Sequence, residues 1–378
     1  MTLVERLRTS TADIRAEYLD PSHTYPWIIG YSGGKDSTLV LQLVFETIMS
    51  LAPSDRTRQV HVLANDTLVE SPILSSYVDA MLQRVRDAAD AFRLPMKVVK
   101  TTPAIDQTFW VNLIGRGYPP PNRMFRWCTD RMKIRPTSEY IQSQVSALGQ
   151  AILLLGVRRS ESAVRAASVG RYDPTDGTRL NPHNTLKGCL VFRPIVELTT
   201  DEVWQALLQK PPTWGGTHRE LVTLYKNAGG GECPLVLDKE DAPSCGTSSS
   251  RLGCWTCTVV EKDRSMGGFI EAGFSYLEPL MYFRDWLSAI RGDRSRRMKE
   301  RRNGLVTLMA DGSLVPGPFT METRKVILDK LLAVQVEVGV PLISEAEIEQ
   351  IHHIWTSDIA RAGHQALGIV SRASERQQ

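Results

Sequence analysis

Short apolar runs alternate with longer amphipathic segments through the first half of the chain. Five runs have the length and composition of buried strands, at residues 27–31, 60–64, 96–99, 151–155 and 190–192. Segments beside them repeat apolar residues at helical spacing, over 3–18, 38–50 and 72–92. Strands that alternate with helices predict an α/β fold with a doubly wound, mostly parallel sheet. The polar, turn-rich stretch 173–184 is predicted to be a loop.

Beyond residue 262 the alternation stops and the pattern becomes mostly helical. The predicted elements there are an amphipathic helix over 276–290, a hairpin around Asp311-Gly312 over 305–315, and helices capped by Thr320 and Ser344. The chain therefore divides into a predicted α/β domain, residues 1–262, and a mostly helical C-terminal domain, residues 263–378.

A glycine-rich polar stretch separates the first strand from the helix that follows it. We call it the phosphate loop; it consists of Ser32, Gly33, Gly34, Lys35, Asp36 and Ser37. Its glycines let backbone N–H groups approach an anion, and the helix start directs its positive dipole end to the same place. Lys35 and Asp36 are the candidate catalytic residues, since Lys35 adds a positive charge and Asp36 favours the helix start and is suited to hold a metal ion. The spacing differs from that of a Walker A loop. A plain turn that uses glycine for its backbone conformation is the alternative.

Polar residues also follow the second and fourth predicted strands. The carboxyl ends of parallel strands share one edge of a sheet, and ligands bind beyond that edge. Asp66 follows the second strand, and Arg158 and Arg159 follow the fourth. Guanidinium groups at this edge are suited to phosphate oxygens, so Arg158 and Arg159 join the predicted phosphate-binding site, and Asp66 joins it by its position. Ordinary surface charges in loops are the alternative.

Composition narrows the classes of function. The chain of 378 residues has a net charge of +3, so any nucleic-acid contact must come from a local patch. Residues 291–302 hold seven basic and two acidic side chains, and the candidate DNA contacts are Arg294, Arg296, Arg297 and Arg301. A solvated face is the alternative. No apolar run approaches the ~18 residues of a membrane span, and the N-terminus lacks the apolar core of a signal peptide. We therefore expect a cytoplasmic protein without membrane contact.

Four of the six cysteines lie close together in sequence. Cys254 and Cys257 form a CxxC pair, and Cys233 and Cys245 lie in glycine- and serine-rich loops that can wrap a metal centre. Four thiolates suit an iron–sulfur cluster or tetrahedral zinc, and the sequence does not separate the two. Four unrelated cysteines are the alternative. Cys128 is expected near the same sheet edge, and Cys189 is expected in the core.

The phosphate loop resembles the PP-loop (SGGxDS) of the adenine-nucleotide α-hydrolases, which cleave ATP between its α- and β-phosphates. The order of motifs resembles the phosphoadenosine-phosphosulfate-reductase-like branch of these proteins: SGGKDST, RWCTDRMKIRP, GVRRSES, LTTDEVW, GGGECP and SCGTSSSRLGCWTC. More narrowly, it resembles the DndC-type sulfurtransferases of DNA phosphorothioation, including the SspD-type variant. The narrower resemblance rests on GGGECP and on residues 67–70, 109–113 and 319–325.

This resemblance implies an enzyme that uses ATP, Mg²⁺ and a [4Fe–4S] cluster. It implies adenylation of a DNA phosphate and replacement of a non-bridging oxygen by sulfur, with release of AMP. The implied partners are DNA, a cysteine desulfurase as sulfur donor, and other proteins of the phosphorothioation system.

The resemblance also divides the cysteines between two roles. Cys128, Cys245, Cys254 and Cys257 would hold the cluster, and Cys233, favoured over Cys189, would be the catalytic persulfide carrier. The reverse assignment stays open, with Cys233 as a ligand and Cys128 as the carrier, as does sulfur carried on the cluster itself.

Three other functions are compatible with parts of the sequence. A phosphoadenosine-phosphosulfate or adenosine-phosphosulfate reductase would share the motifs, but its catalytic cysteine lies in a C-terminal Glu-Cys-Gly segment, and no cysteine follows Cys257 here. A tRNA thiolase shares the adenylation chemistry, but no added RNA-binding module is evident. An inert, zinc-bearing scaffold for DNA enzymes is the alternative without catalysis.

Overall fold

A six-stranded sheet forms the centre of the protein in a computed structural model that describes residues 1–161, 179–228 and 253–375. Its strands are β1 (Trp27–Tyr31), β2 (Val60–Asn65), β3 (Met96–Thr101), β4 (Ala151–Leu154), β5 (Leu180–Pro182) and β6 (Cys189–Phe192). The strand order is β3-β2-β1-β4-β6-β5, and every pair is parallel except β5 with β6. This confirms the predicted α/β fold with a mostly parallel sheet.

Ten α-helices accompany the sheet in the described ranges: α1 (Leu3–Tyr18), α2 (Lys35–Ser50), α3 (Pro72–Ala91), α4 (Arg135–Leu148), α5 (Thr200–Gln209), α6 (Arg219–Asn227), α7 (Arg264–Glu271), α8 (Glu278–Ile290), α9 (Met321–Val338) and α10 (Glu345–Glu375). Two π-helical segments, Val111–Gly115 and Thr129–Ile134, lie between β3 and α4. Thr320 caps α9 as predicted, and Ser344 and Glu347 exchange the hydrogen bonds of a capping box before α10.

Alternate residues of the strands pack against helices on opposite faces of the sheet. Ile29 and Val62 belong to the large core that α2 and α3 cover, whereas Ile28 and Leu63 pack with Ile141 of α4 on the other face. Burial on both faces explains why the strands are continuous apolar runs. The doubly wound arrangement is therefore present.

The strand order reverses between β1 and β4. The chain moves outward from β1 to β2 and β3, and β4 then pairs on the other side of β1. A crevice forms beyond the carboxyl ends of strands at such a switch point, and the two loops that border it follow β1 and β4. The fold therefore places the phosphate loop and Arg158 together at this switch point.

The prediction of a loop over residues 173–184 is wrong in its C-terminal part. Leu180–Pro182 forms β5, which pairs antiparallel with β6 at the edge of the sheet. Asn and Pro are unfavourable inside a sheet, but an edge strand tolerates a residue without an N–H group. The earlier part of that prediction, residues 173–178, lies outside the described residues.

The C-terminal helices share the main hydrophobic core with the sheet. Phe283 of α8, Leu331 of α9 and Trp355 of α10 belong to the same buried cluster as Trp27 and Phe45. The predicted boundary at residue 262 stays a prediction, and the packing on either side of it is continuous. Within the described ranges, no helix is long and apolar enough to cross a membrane.

Candidate functional site

The phosphate loop forms a tight turn between β1 and α2. Gly33 has a φ of +75°, and a methyl group there would lie 2.5 Å from Cγ2 of Val78. Ser37 closes the turn, because its hydroxyl donates to the Gly34 carbonyl at 3.0 Å and lies 3.2 Å from the Ser32 hydroxyl. The loop thus has the strand, turn and helix context that the sequence predicts for an anion site.

Three charged side chains form a buried network at the start of α2. The Lys35 Nζ donates to Asp36 Oδ2 at 2.9 Å, and the Arg158 Nε donates to Asp36 Oδ1 at 2.5 Å. Arg158 is only 1% exposed and also donates to the hydroxyls of Ser160 and Thr200, both at 3.0 Å. The carboxylate therefore pairs with both cations and leaves the network a net positive charge, and Arg158 joins the β4 loop to α2 and α5.

The loop after β4 lies directly against the start of α2. A methyl group at Gly156 would lie 2.8 Å from the carbonyl carbon of Asp36, so only glycine fits without movement. Arg158 is thereby brought to the phosphate loop. Arg159 points elsewhere and donates to Glu197 at 2.7 Å in a partly exposed pair. Its proposed contact with a phosphate stays a prediction.

Tyr225, on α6, is a site residue that the sequence did not reveal. Its hydroxyl accepts the backbone N–H of Lys35 at 3.2 Å, and its ring centroid lies 6.0 Å from the Lys35 Nζ. The ring is buried and meets Trp204 edge to face with centroids 5.0 Å apart. Tyr225 therefore occupies a donor that the helix start would offer to an anion. Nothing in the order of residues links this tyrosine to a loop 190 positions away.

A strained loop follows β2. Asp66 accepts the Leu68 N–H at 2.8 Å and an ammonium hydrogen of Lys100 at 3.0 Å. Leu68 has a φ of +63°, a left-handed conformation that is uncommon for a residue with a branched side chain. Asp66 therefore lies at the predicted sheet edge, and its side chain holds the loop that leads to residue 71. Strain of this kind is often found at functional sites.

The CxxC segment pairs with the same loop. The backbone N–H of Trp255 donates to the Val69 carbonyl at 3.1 Å, and Ser71 donates to the Gly253 carbonyl at 3.2 Å. The Cys254 sulfur lies 3.2 Å from the buried Thr67 hydroxyl, which in turn donates to Glu70 at 2.8 Å. The sequence placed Thr67 and Glu70 only in a resembling motif, and their contact with Cys254 gives that motif a physical role.

A further cysteine, Cys128, lies near Cys257 of this segment. Burial, together with a smaller effect of the Cys257 charge, raises the pKa of the Cys128 thiol to about 12. Cys128 immediately precedes the π-helix Thr129–Ile134, and Asn65 of β2 donates to the Met132 carbonyl of that helix at 3.0 Å. Cys128, Cys254 and Cys257 are thus grouped beside the end of β2.

Of the three remaining cysteines, the structure describes one. Cys189 begins β6 in the core, and burial raises its pKa to about 12, as expected for a structural thiol. Cys233 and Cys245 lie outside the described residues. The assignment of the fourth ligand and of the persulfide carrier therefore stays a prediction.

Two arginines from the C-terminal part hold the chain that follows Cys257. The buried Arg284 of α8 donates to the carbonyls of Cys257 and Glu261, both at 2.9 Å. Arg291 donates to the carbonyls of Thr258 and Pro121 at 2.9 and 3.0 Å. The guanidinium groups thus bind main-chain carbonyls on both sides of residue 258 and fix the cysteine segment.

The predicted DNA-binding arginines are not equivalent. Arg294 and Arg301 are exposed, and Arg296 pairs with Asp293 at 3.0 Å. Arg297 instead donates to the Gly317 carbonyl at 2.7 Å and to the Arg291 carbonyl at 3.0 Å. Burial lowers its pKa to about 10, with a smaller effect of the Arg301 charge. The sequence of a charged run does not show which of its side chains point inward. In the structure Arg297 binds main-chain carbonyls, whereas Arg294 and Arg301 are exposed.

Comparison with known proteins places this geometry in a family. The family described as phosphoadenosine phosphosulfate reductase domain matches residues 26–260, which include the phosphate loop and the CxxC pair. An uncharacterized protein of Methanocaldococcus jannaschii is 23% identical over 185 residues, which are 49% of this chain and 32% of the relative. The chain thus spans about a third of the length of that relative.

Two solved structures show weaker similarity. The phosphoadenylyl-sulfate reductase of Candida auris, in a phosphate complex, is 14% identical, covers 55% of this chain and 84% of its own, and has a TM-score of 0.33. The U34-tRNA thiolase of Methanococcus maripaludis, with its [4Fe–4S] cluster, is 12% identical, covers 77% of this chain and 81% of its own, and has a TM-score of 0.34.

Proposed function

The chain belongs to the phosphoadenosine phosphosulfate reductase domain family, and from this premise we propose that it is an ATP-dependent sulfurtransferase acting on DNA. It would adenylate a backbone phosphate and replace a non-bridging oxygen by sulfur, which is DNA phosphorothioation. The substrate assignment rests on the resemblance of the cysteine motifs and the tail, and the nucleotide assignment rests on the phosphate loop.

One observation supports the proposal most directly: the nucleotide side and the sulfur side of the site are joined by six residues. The loop 66–71 starts at the sheet edge beside β1, where Asp66 lies, and ends in the backbone pairing with the CxxC segment. Cys254 contacts Thr67, the residue next to Asp66. An activated phosphate at the phosphate loop and a thiol from this segment would therefore meet at one edge of the sheet.

The first step is adenylation. A DNA phosphate oxygen attacks the α-phosphorus of ATP, the bond to the β-phosphate breaks, and pyrophosphate leaves. The phosphate loop would bind the departing pyrophosphate through backbone N–H groups and Lys35, and Mg²⁺ is the expected companion of the nucleotide. Asp36 and Arg158 hold Lys35 at the helix start through the network described above.

The second step is sulfur transfer. A sulfur nucleophile attacks the activated DNA phosphorus. AMP leaves and takes with it the DNA oxygen that sulfur replaces. A thiolate or persulfide suits this step because sulfur is nucleophilic at neutral pH. If sulfur arrives as a persulfide, its release as a phosphorothioate requires two electrons, which a thiol reductant would supply.

The grouped cysteines have the chemistry that an iron–sulfur cluster needs. Cys128, Cys254 and Cys257 offer soft thiolate ligands from two segments, and the fourth would be Cys245 or Cys233. The Thr67 hydroxyl beside Cys254 is placed as a hydrogen-bonding neighbour of a ligand. When bound, a [4Fe–4S] cluster would supply electrons or a sulfur-binding iron to the site.

The cluster assignment is tested by colour and metal content. Protein purified without oxygen should be brown and contain iron and sulfide. Cys254→Ser should remove the colour, because it deletes a ligand, whereas Lys35→Ala should keep the colour and abolish the release of pyrophosphate from ATP. A colourless protein with stoichiometric zinc would contradict the cluster and favour a zinc site.

The DNA substrate is tested in cells. Mass spectrometry of digested DNA should find phosphorothioate dinucleotides when the gene is present and none when it is deleted or carries Lys35→Ala. A cysteine desulfurase should be required for the modification. Unmodified DNA in the presence of the active gene, together with sulfite release from phosphoadenosine phosphosulfate, would favour a reductase instead.

A further inference from the structure

A short two-stranded ribbon projects from the C-terminal part of the protein. We call residues 305–315 the apolar ribbon. Leu308 pairs antiparallel with Leu314, and Met309 and Val315 donate backbone N–H groups to Ser313 and Thr307, both at 2.8 Å. Gly312 makes the turn with a φ of +80°. The predicted hairpin therefore forms around Asp311-Gly312.

The outer side chains of the apolar ribbon are large and exposed. The exposed fraction is 63% for Leu305, 54% for Val306, 61% for Leu308 and 50% for Met309. Four such residues in five positions are an unusual concentration for a protein surface, where apolar side chains are normally scattered. A cluster of this kind indicates a binding surface.

The base of the apolar ribbon is firmly attached. Arg297 donates to the carbonyls of Pro316 and Gly317, and its guanidinium lies 5.3 Å from the centroid of the buried Phe319 ring. Met298 and Gly317 add backbone hydrogen bonds, and a methyl group at Gly317 would lie 1.9 Å from the Glu300 carbonyl oxygen. The ribbon thus projects from a rigid base, which lowers the entropy lost on binding.

Exposed cations precede the apolar side chains in sequence. Arg294, Lys299 and Arg301 are all exposed in the segment that leads into the ribbon. Hydrogen bonds from Ser313 lower the pKa of Asp311 at the turn, and the charge of Arg294 lowers it slightly more. Glu300 and Asp311 are the exposed acids nearby, and the balance of charge is positive.

We propose that the apolar ribbon contacts duplex DNA, with leucine or methionine side chains entering between stacked bases and Arg294, Lys299 and Arg301 contacting phosphates on either side. Proteins that bend DNA combine apolar wedges with flanking cations in this way, including wedges carried on β-ribbons. The proposal rests on the proposed function, since DNA is the substrate there. It adds the element that would separate bases near the phosphate to be modified.

The dimensions favour DNA over a protein partner. A stable protein interface buries ~800 Å² on each partner, which a ribbon two strands wide with four apolar side chains does not offer by itself. A base step needs only one or two inserted side chains. The exposed cations of the segment that leads into the ribbon suit phosphates beside such a step, because each strand of the duplex lies beside the insertion.

The experiment uses the full chain and a duplex that carries 2-aminopurine at its central steps, a base whose fluorescence rises when it unstacks. Leu308→Ser combined with Met309→Ser removes the wedge. Val336→Ser is the matched control, because Val336 is 82% exposed on α9. Arg301→Gln tests a phosphate contact. Unchanged urea midpoints should show that every variant is folded.

We expect wild-type protein and the control to bind the duplex and raise the fluorescence. The double variant should bind about tenfold more weakly, since two apolar contacts are lost, with no fluorescence rise and an unchanged dependence on salt. Arg301→Gln should keep the fluorescence rise and reduce the slope of log K against log salt by about one.

Three results would overturn the wedge. Unchanged affinity in the double variant would remove the ribbon from the DNA site. If the double variant binds more weakly but wild-type protein does not raise the 2-aminopurine fluorescence, the ribbon contacts the DNA surface without entering between bases. Unchanged DNA binding with impaired sulfur uptake from a cysteine desulfurase would assign it to that protein. Wild-type protein that does not bind DNA would contradict the proposed substrate as well, so the two failures are distinguishable.

Discussion

At the scale of single residues, Tyr225 changes how the phosphate loop is understood. The loop was expected to offer its backbone N–H groups to a phosphate, and one of these groups, that of Lys35, is bonded to the Tyr225 hydroxyl at 3.2 Å. A phosphate oxygen and this hydroxyl therefore compete for the same donor. Nucleotide binding must displace the hydroxyl or share the donor with it, which couples the loop to the position of α6.

We expect Tyr225→Phe to tighten the binding of pyrophosphate, because the variant removes the competing acceptor and keeps the ring. One hydrogen bond is worth about 0.5–1.5 kcal/mol, so the dissociation constant should fall roughly 2- to 10-fold in calorimetric titration. Tyr140→Phe is the control, because Tyr140 lies on α4, outside the phosphate loop. Its hydroxyl contacts the His61 ring at 2.8 Å. Weaker binding in Tyr225→Phe would mean that the hydroxyl assists the anion instead.

The residues that the sequence identified and those that it missed differ in one respect. Lys35, Asp36 and Arg158 follow strands, so the rule that parallel strands share a carboxyl edge was sufficient to bring them together. Tyr225 and Thr67 act through contacts with residues about 190 positions away, and pairs of this kind leave no local pattern. Arg297 shows the converse, because a charged residue in a charged run gave no sign of its buried contacts.

At the scale of elements, buried strands were the most predictable feature. β1, β2 and β4 are continuous apolar runs because helices cover both faces of the sheet, and their predicted bounds agree with the structure to within one residue. β5 was missed because an edge strand of three residues, Leu-Asn-Pro, has the composition of a loop. The π-helical segments have no sequence pattern that distinguishes them from ordinary helix.

Helix α6 carries Tyr225, and its attachment depends on a neutral histidine. The ring of His218, just before α6, contacts Gln42 of α2 at 2.7 Å. Burial lowers the pKa of His218 to about 4, despite an opposing effect of the Glu46 charge. The imidazole is therefore neutral in the folded protein at pH 5, where the unfolded chain, with a pKa near 6.5, is protonated.

This difference predicts a loss of stability in acid. The contribution of His218 should be complete above about pH 6.5 and should be lost as the pH falls towards 4, with about 2 kcal/mol lost between pH 7 and pH 5. His218→Asn, which does not titrate, should show a correspondingly smaller decrease in the urea midpoint over this range. His353→Asn, at an exposed position of α10, should behave like the wild type. Equal pH dependence in His218→Asn would contradict the argument.

At the scale of the whole molecule, the sheet and the C-terminal helices depend on each other. The Trp110 indole donates to the Leu342 carbonyl at 2.6 Å, and the Trp355 indole donates to the Ile114 carbonyl at 3.1 Å. Arg324 and Arg302 share Asp358 of α10, at 2.8 and 3.0 Å, and Arg302 also donates to the Arg116 carbonyl. The sequence suggested two domains because the strand pattern stops, but a change of pattern does not show where a core ends.

Continuous packing predicts that the chain unfolds as one unit. Trp355→Ala removes a buried side chain of α10 that packs on the segment between β3 and α4, and should destabilise the protein by about 3 kcal/mol or more. Because the units are coupled, Trp355→Ala should lose pyrophosphate binding and change its tryptophan fluorescence at the same temperature, which should be lower than that of the wild type. Ile359→Ser is the matched control, since Ile359 is 62% exposed on the same helix, and it should leave both transitions unchanged. Two separate transitions in Trp355→Ala, with pyrophosphate binding retained after the first, would instead support an independent domain ending near residue 262.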